Sequence, residues 1–259
     1  MHKYILLFVS FLSLVSCGDD MPIEKSPTHV PAVEEREVNE FVMHTEMAHK
    51  KYAYQAKGAI SFDLRLVFRE KERLNAHFTL LTDGSKGRID RNDGISMVYD
   101  GMDSWVIADS TVDSDMRFDI YTWTYFFALP YKLSDEGTKY TSFDNDSLNG
   151  EIYATQKLSF EAGTGDAPDD WYILYADKET ELLEVAAYIV TAGQTVEEAD
   201  QDPHAIKYQD YADVDGIPIA TNWTFWGWQK DKGLTESLGY AELTNVQFET
   251  PVTERFKKP

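Results

Sequence analysis

The only cysteine of the chain, Cys17, stands where a thiol could carry lipid. Residues 14–17, LVSC, fit the bacterial lipobox, in which diacylglycerol is joined to the cysteine sulfur before a peptidase cleaves in front of it. Lys3 and an apolar run from Tyr4 to Val15 precede it, a pattern typical of a secretory signal and too short to span a bilayer. The pattern predicts a signal peptide over residues 1–16 and a lipidated Cys17.

The residues after Cys17 indicate the destination of the anchor. Gly18 follows the cysteine, so the aspartate that commonly retains lipoproteins in the inner membrane is missing. Gly18-Asp19-Asp20 resembles the acidic tether of Bacteroidota lipoproteins. We therefore expect the lipid anchor to attach the protein to the outer membrane. The choice between the periplasmic and the cell-surface leaflet is left open.

The best polar constellation is a glycine-rich loop near the middle of the chain. Its carboxylates could gather oxygen ligands for calcium or serve a hydrolytic reaction. The loop lacks the terminal glutamate of a calcium loop, and Asp and Gly are ordinary loop residues. We assign no catalytic residue, no cofactor and no metal, with calcium as a weak candidate only. The residues of that candidate are Glu161, Asp166, Asp169 and Asp170.

Aromatic residues make up 14% of the chain and are dense in residues 118–133, FDIYTWTYFFALPYKL. This segment is too apolar for a surface helix, so we expect a short helix that ends near Leu129 and packs against a sheet. The aromatic side chains are either core or the lining of an apolar cavity. The candidate lining residues are Phe118, Tyr121, Trp123, Phe126, Phe127, Trp223, Phe225 and Trp226.

The rest of the pattern predicts elements that would position these residues. Residues 35–54 have helical spacing, and from Ile60 the period changes to two, with Phe62 on the inner face of a strand and Arg65 on the outer face. Short strands with turns between them continue to Phe248, which predicts an antiparallel meander. Toward the C terminus the strands are apolar on both faces, so both faces need a cover.

Composition limits the domain organisation and the partners. Residues 17–34 contain three prolines and no apolar periodicity, which predicts a tether, and residues 35–259 suffice for a single domain. The net charge is −21 and the pI about 4.5. An acidic chain of this kind is a poor partner for nucleic acid, because phosphate binding needs clustered Lys and Arg.

Three segments carry a family resemblance: residues 126–137, 160–172 and 215–221. They resemble the Bacteroidota proteins of the domain of unknown function 6503 family, over most of residues 45–248. The layout is more remotely similar to the LolA/LolB/LppX lipoprotein carriers. That likeness implies an α+β fold, a curved antiparallel β-sheet (LolA-like half-barrel) with an N-terminal helix and an aromatic helical plug. It supplies no catalytic residues.

The leading functional expectation is non-enzymatic binding of a lipid or other apolar small molecule in a cavity of the sheet. One alternative is a surface lipoprotein with a packed core that binds a protein or glycan partner. A third is a hydrolase that uses the carboxylates of residues 161–170.

The lipobox makes a direct prediction about Cys17. Cys17→Ser should leave an uncleaved or soluble precursor, because neither lipidation nor the subsequent cleavage can occur without the thiol. The measurement is palmitate labelling together with membrane fractionation of the two forms. A variant that still takes up label and sediments with membranes would contradict the lipoprotein interpretation.

Overall fold

The computed structural model describes residues 39–107 and 114–258. Cys17, the predicted signal peptide and tether, and the first residues of the predicted helix over 35–54 lie outside the described residues. No helix in the described ranges is both long and apolar enough to cross a membrane.

The predicted N-terminal helix is two helices, α1 (Glu40–Ala48) and α2 (Lys51–Gln55). Asn39 caps α1, its side-chain oxygen accepting the Val42 N–H at 3.2 Å. Lys50 between the helices has a left-handed backbone with φ of 55°. This conformation is disfavoured for a residue with a side chain, and it interrupts the helix. The prediction of a single helix was wrong here, because the tertiary contacts that bury His49 and Lys51 set the break.

Twelve strands of the described residues form one antiparallel sheet. Its first half is β1 (Ala59–Phe68), β2 (Lys71–Leu81), β3 (Gly87–Arg91), β4 (Ser96–Tyr99) and β5 (Ser104–Ile107). Its second half is β6 (Thr138–Thr141), β9 (Ala154–Phe160), β10 (Tyr172–Ala176), β11 (Leu183–Tyr188), β12 (His204–Val214), β13 (Ile217–Gln229) and β14 (Gly233–Glu249). Strands β7 (Ser147–Leu148) and β8 (Glu151–Ile152) make a separate small hairpin.

Three helical pieces complete the chain: α3 (Ser114–Ala128), which runs on into a 3-10 turn over Leu129–Tyr131; α4 (Val196–Ala199); and a 3-10 turn over Thr253–Phe256. The expected antiparallel meander is confirmed. Helix α3 connects the two edge strands of the sheet, β5 and β6.

The two halves of the sheet join where the first strand pairs with the last. The strand order is β5-β4-β3-β2-β1-β14-β13-β12-β11-β10-β9-β6, so β1 and β14 lie side by side in the interior of the sheet. Leu64 faces Leu243 in this pairing. A Cβ on Gly239 would come within 2.2 Å of the Val67 carbonyl oxygen, so the close approach requires glycine. The junction depends on residues almost 180 positions apart, which no local pattern encodes.

The sheet curves around α3. Tyr121 of α3 lies against Tyr99 of β4 and Tyr125 lies against Tyr172 of β10, with ring centroids 5.6 Å and 5.7 Å apart. In the strand order β4 and β10 are eight positions apart, which in a flat sheet would be about 38 Å. A helix is only about 10–12 Å wide. The face that α3 covers must therefore be concave, and we call it the inner face.

The predicted alternation of β1 is confirmed. Phe62 and its cross-strand neighbour Phe78 are fully buried on the inner face, whereas Arg65 is exposed and pairs with Glu72. The outer face has its own smaller cluster, which includes Tyr175, Val185 and Trp228 beside Leu148 of the β7–β8 hairpin. Both faces of the C-terminal strands are thus covered, as their two-sided apolar pattern requires.

The register of β1 can be tested by a matched pair of substitutions. Phe62→Asp should unfold the domain, because an unpaired buried carboxylate costs several kcal/mol out of the 5–15 kcal/mol that is typical of a whole domain. Arg65→Gln on the opposite face should change the unfolding midpoint little. Denaturant melts followed by tryptophan fluorescence measure both. Equal midpoints for the two variants would show that the faces are misassigned.

Candidate functional site on the inner face of the sheet

Helix α3 is the element that covers the inner face. The sequence predicts a short helix within residues 118–133, and the structure has 15 helical residues from Ser114 to Ala128. Pro130 lies in the 3-10 turn that follows, near its start, where a missing N–H costs nothing. The helix is therefore longer at its N-terminal end than predicted, and it ends one residue before Leu129.

The aromatic side chains of α3 reach both halves of the sheet. Phe127 stacks on Phe62 of β1 with ring centroids 4.4 Å apart. Trp123 meets Phe225 of β13 edge to face at 5.8 Å, and Phe126 lies 4.8 Å from Tyr188 of β11. Offset and edge-to-face contacts of this kind add to the free energy gained from burial. The inner face is thus filled by the helix itself.

Seven of the eight candidate lining residues belong to the inner-face cluster. Trp123, Phe126, Phe127, Trp223 and Phe225 are buried there, and Phe118 and Tyr121 pack against it partly exposed.

Trp226 has to be removed from this set. It packs on the outer face with Trp171 and Trp228. Successive residues of a strand point to opposite faces, so a side chain next to Phe225 cannot share the inner face with it.

The inner face holds no lipid-sized cavity within the described residues. Two small cavities flank Tyr131, each of about 10 Å³, which is roughly the room needed by one water molecule. Ligand pockets usually enclose about 300–1,000 Å³. The aromatic residues are core in this conformation, and an apolar ligand could enter only if α3 moved.

An ion pair between a buried carboxylate and a half-exposed arginine ties α3 to the sheet. The Asp119 side chain is 1% exposed, and its two oxygens accept from the Arg73 guanidinium of β2 at 3.0 Å and 3.1 Å. The indole N–H of Trp123, one turn along the helix, also donates to this carboxylate at 2.9 Å. Burial raises the pKa of Asp119 above its usual range, and the Trp123 N–H and the Arg73 charge oppose that rise. Asp119 and Arg73 were not recognised from the sequence, because no local pattern pairs them.

Two side chains that line the first cavity carry a buried nitrogen without a hydrogen-bond partner. The cavity is lined by His49 from the α1–α2 break, by Tyr131 after α3, and by Trp223 with other residues of β12 and β13. The His49 Nδ1 and the Trp223 Nε1 are buried, and neither has a hydrogen-bond partner among the described residues. Trp223 was a candidate lining residue from the sequence, whereas His49 was not singled out.

His49 is a neutral donor. Its ring is fully buried, and desolvation lowers its pKa to about 3. Its Nε2 accepts the Leu183 backbone N–H at 3.0 Å, so the single ring proton lies on Nδ1.

A polar cluster beside α2 was also missed. Lys51 Nζ donates to Glu46 at 2.7 Å and to the Ser134 hydroxyl at 2.8 Å, and Asp135 lies 3.7 Å away. A serine next to a lysine can be a nucleophile and its base. Here the ammonium lies between two carboxylates, and the Ser134 hydroxyl donates to Glu46 at 2.9 Å. The cluster clamps the N-terminal helices onto the segment after α3.

The four carboxylates of the predicted calcium loop do not gather. Asp166 pairs with Arg117 of α3, and Asp170 accepts the Thr191 N–H and hydroxyl at 2.8 Å and 2.7 Å. Glu161 and Asp169 are exposed. Within the described ranges, no group of three or more His, Cys, Asp or Glu side chains is arranged to hold a metal ion.

Comparison with solved structures identifies the fold. A LolA superfamily protein from Nitrosomonas europaea superposes with a TM-score of 0.50 at 11% identity, over 80% of this chain and 97% of the other. A putative outer membrane lipoprotein-sorting protein domain from Vibrio parahaemolyticus gives 0.50 at 11%, over 82% and 94%. The chain has a LolA-like half-barrel fold.

A DUF1329 family protein from Desulfovibrio piger gives a TM-score of 0.52 at 12% identity, over 85% of this chain and 98% of the other. No family model and no curated sequence matches the chain. The resemblance to the domain of unknown function 6503 family is therefore not confirmed, and identities near 11% carry the fold alone.

The Asp119–Arg73 ion pair predicts a pH-dependent defect. Arg73→Met leaves Asp119 buried without its cation and should lower the free energy of unfolding by about 3 kcal/mol near neutral pH. The change also removes the Arg73 charge, which opposes the rise in the pKa of Asp119, so this pKa rises further. A carboxyl group whose pKa is higher in the folded than in the unfolded chain stabilises the fold at low pH. That stabilisation is lost as the pH rises above the ordinary value of 3.8. The defect should therefore be smaller at pH 5 than at pH 8.

Urea melts at the two pH values measure this defect. Arg65→Met, which removes an exposed arginine from a neighbouring strand, is the matched control and should show no such pH dependence. Equal defects at both pH values in Arg73→Met would contradict the assigned role of the pair.

Proposed function

We propose that the chain is an envelope lipoprotein that binds a lipid or another apolar molecule between the inner face of its sheet and α3. The observation that carries the proposal is the cover itself: one aromatic helix lines the concave face from β4 to β10. One protein of similar fold is the putative outer membrane lipoprotein-sorting protein domain from Vibrio parahaemolyticus, which supports the proposal by analogy only.

The contacts that hold α3 on the sheet are of a kind that would allow the helix to move away from it. Most of its contacts with the sheet are apolar, so an apolar ligand could replace them with contacts of the same kind at little net cost in buried area. Its polar ties to the rest of the domain include the Asp119–Arg73 pair, the Tyr208 hydroxyl on the Phe126 carbonyl at 2.8 Å, and Arg117 with Ser104 and Asp166 at the N-terminal end.

The sequence supplies the location. A lipidated Cys17 followed by a tether over residues 17–34 would hold the domain of residues 35–259 at the outer membrane. Two acyl chains anchor a protein stably, so the binding face would remain within reach of membrane lipids.

The second candidate function is the binding of a protein or glycan partner by a domain with a packed core. The filled inner face favours it. Among the described residues, however, the large apolar side chains that are exposed include only one aromatic, Tyr52, so no aromatic patch presents itself for such a partner. The hydrolase alternative has less support, since the carboxylates of residues 161–170 do not converge.

Binding can be tested with the mature chain, residues 17–259 carrying Cys17→Ser, titrated with a fluorescent long-chain acyl probe. The wild-type domain should bind saturably. Phe127→Ala should bind severalfold more tightly, because the closed state loses packing that competes with the ligand.

The control is Trp228→Ala, a buried aromatic of the outer face. Both variants should lose about 3–5 kcal/mol of stability in parallel melts, yet only Phe127→Ala should alter probe binding. Absence of saturable binding by the folded wild type would count against the proposal. Equal changes in the two variants would attribute the effect to destabilisation.

A further inference from the structure

The cavity beside His49 lies at one end of α3. Phe127, in the last turn of α3, and Tyr131, in the turn after it, form one side. Residues of β12 and β13 form the other, including Tyr208 and Trp223. A 15-residue helix is about 22 Å long, so a groove opened beneath α3 would run that distance and end at this cavity.

Two of the polar side chains that line this cavity have a hydrogen-bond donor without an acceptor. The hydroxyls of Tyr131, Tyr208 and Tyr211 already donate to backbone carbonyls, at 3.2 Å, 2.8 Å and 2.5 Å. The His49 Nδ1–H and the Trp223 Nε1–H have no acceptor among the described residues. A buried donor left without an acceptor costs about 1–3 kcal/mol, so two such donors on residues that line one cavity favour a molecule that accepts from them.

The acceptor that fits is neutral. His49 carries no charge, and none of the described residues that line the cavity is a lysine or an arginine. An ionised carboxylate placed here would have to be desolvated without a compensating charge. A carbonyl oxygen of an ester or amide accepts two hydrogen bonds without that cost.

We infer that His49 and Trp223 form the recognition point for an ester or amide carbonyl of an acylated ligand, whose hydrocarbon chain lies under α3. The inference rests on the proposed function and narrows it: the ligand is a neutral acyl ester or acyl amide and not an ionised fatty acid.

The test is competition for the fluorescent probe on the mature chain at pH 8. Three competitors of equal chain length are compared: the acyl methyl ester, the ionised free acid and the hydrocarbon. The ester should bind about tenfold more tightly than the hydrocarbon, and the free acid should be the weakest. This comparison uses the wild-type protein, so it does not depend on the folding of any variant.

The matched variants are Trp223→Phe and Trp228→Phe. Both remove a buried indole N–H and keep an aromatic ring, but only Trp223 lines the cavity. Trp223→Phe should abolish the preference for the ester and leave hydrocarbon binding unchanged, while Trp228→Phe should keep the preference.

The outcomes separate this inference from the proposed function. Equal binding of ester and hydrocarbon would overturn the carbonyl site while apolar binding stands. Tighter binding of the ionised acid would overturn it in favour of an anion site. A preference for the ester that survives Trp223→Phe would overturn the role of that residue pair. Failure of all three competitors and of the probe itself would overturn both proposals.

Discussion

The curvature of the sheet around a single helix is the constraint on which the rest of the structure depends. Helix α3 touches strands that a flat sheet would separate by about 38 Å, from Tyr99 of β4 to Tyr172 of β10. Strand twist permits the bend, and the aromatic rings of α3 fill the space that it encloses. The inner core, the two cavities and the position of His49 all depend on that contact.

A core built in this way makes every polar group inside it costly. Asp119 is compensated by the forked contact with Arg73 and by the Trp123 N–H. Only one ring nitrogen of His49 has a hydrogen-bond partner among the described residues, and the indole N–H of Trp223 has none. Polar groups with hydrogen-bond partners fix the position of the helix on the sheet. Polar groups without partners are where we propose that a ligand binds. The two kinds lie near opposite ends of α3.

Much of the fold was predictable because it depends on the local periodicity of apolar residues in the sequence. Alternation in β1 placed Phe62 inside and Arg65 outside, and the aromatic density of residues 118–133 indicated a segment packed on the sheet. One error falls at Lys50, whose left-handed backbone breaks the predicted N-terminal helix. The other is Trp226, which faces outward because it is adjacent to an inward residue, as the alternation of the strand alone requires.

By itself, the sequence determined the antiparallel strands, the faces of most of them and the aromatic cover, since each depends on residues close together in the chain. It also predicts a lipid anchor, which lies outside the described residues. Tertiary structure decided that the inner face is filled. It also decided that β1 meets β14, that Arg73 reaches Asp119, and that His49 and Trp223 share one cavity. These are contacts between distant residues, and they exist only once the sheet has curved, so no spacing in the sequence can encode them.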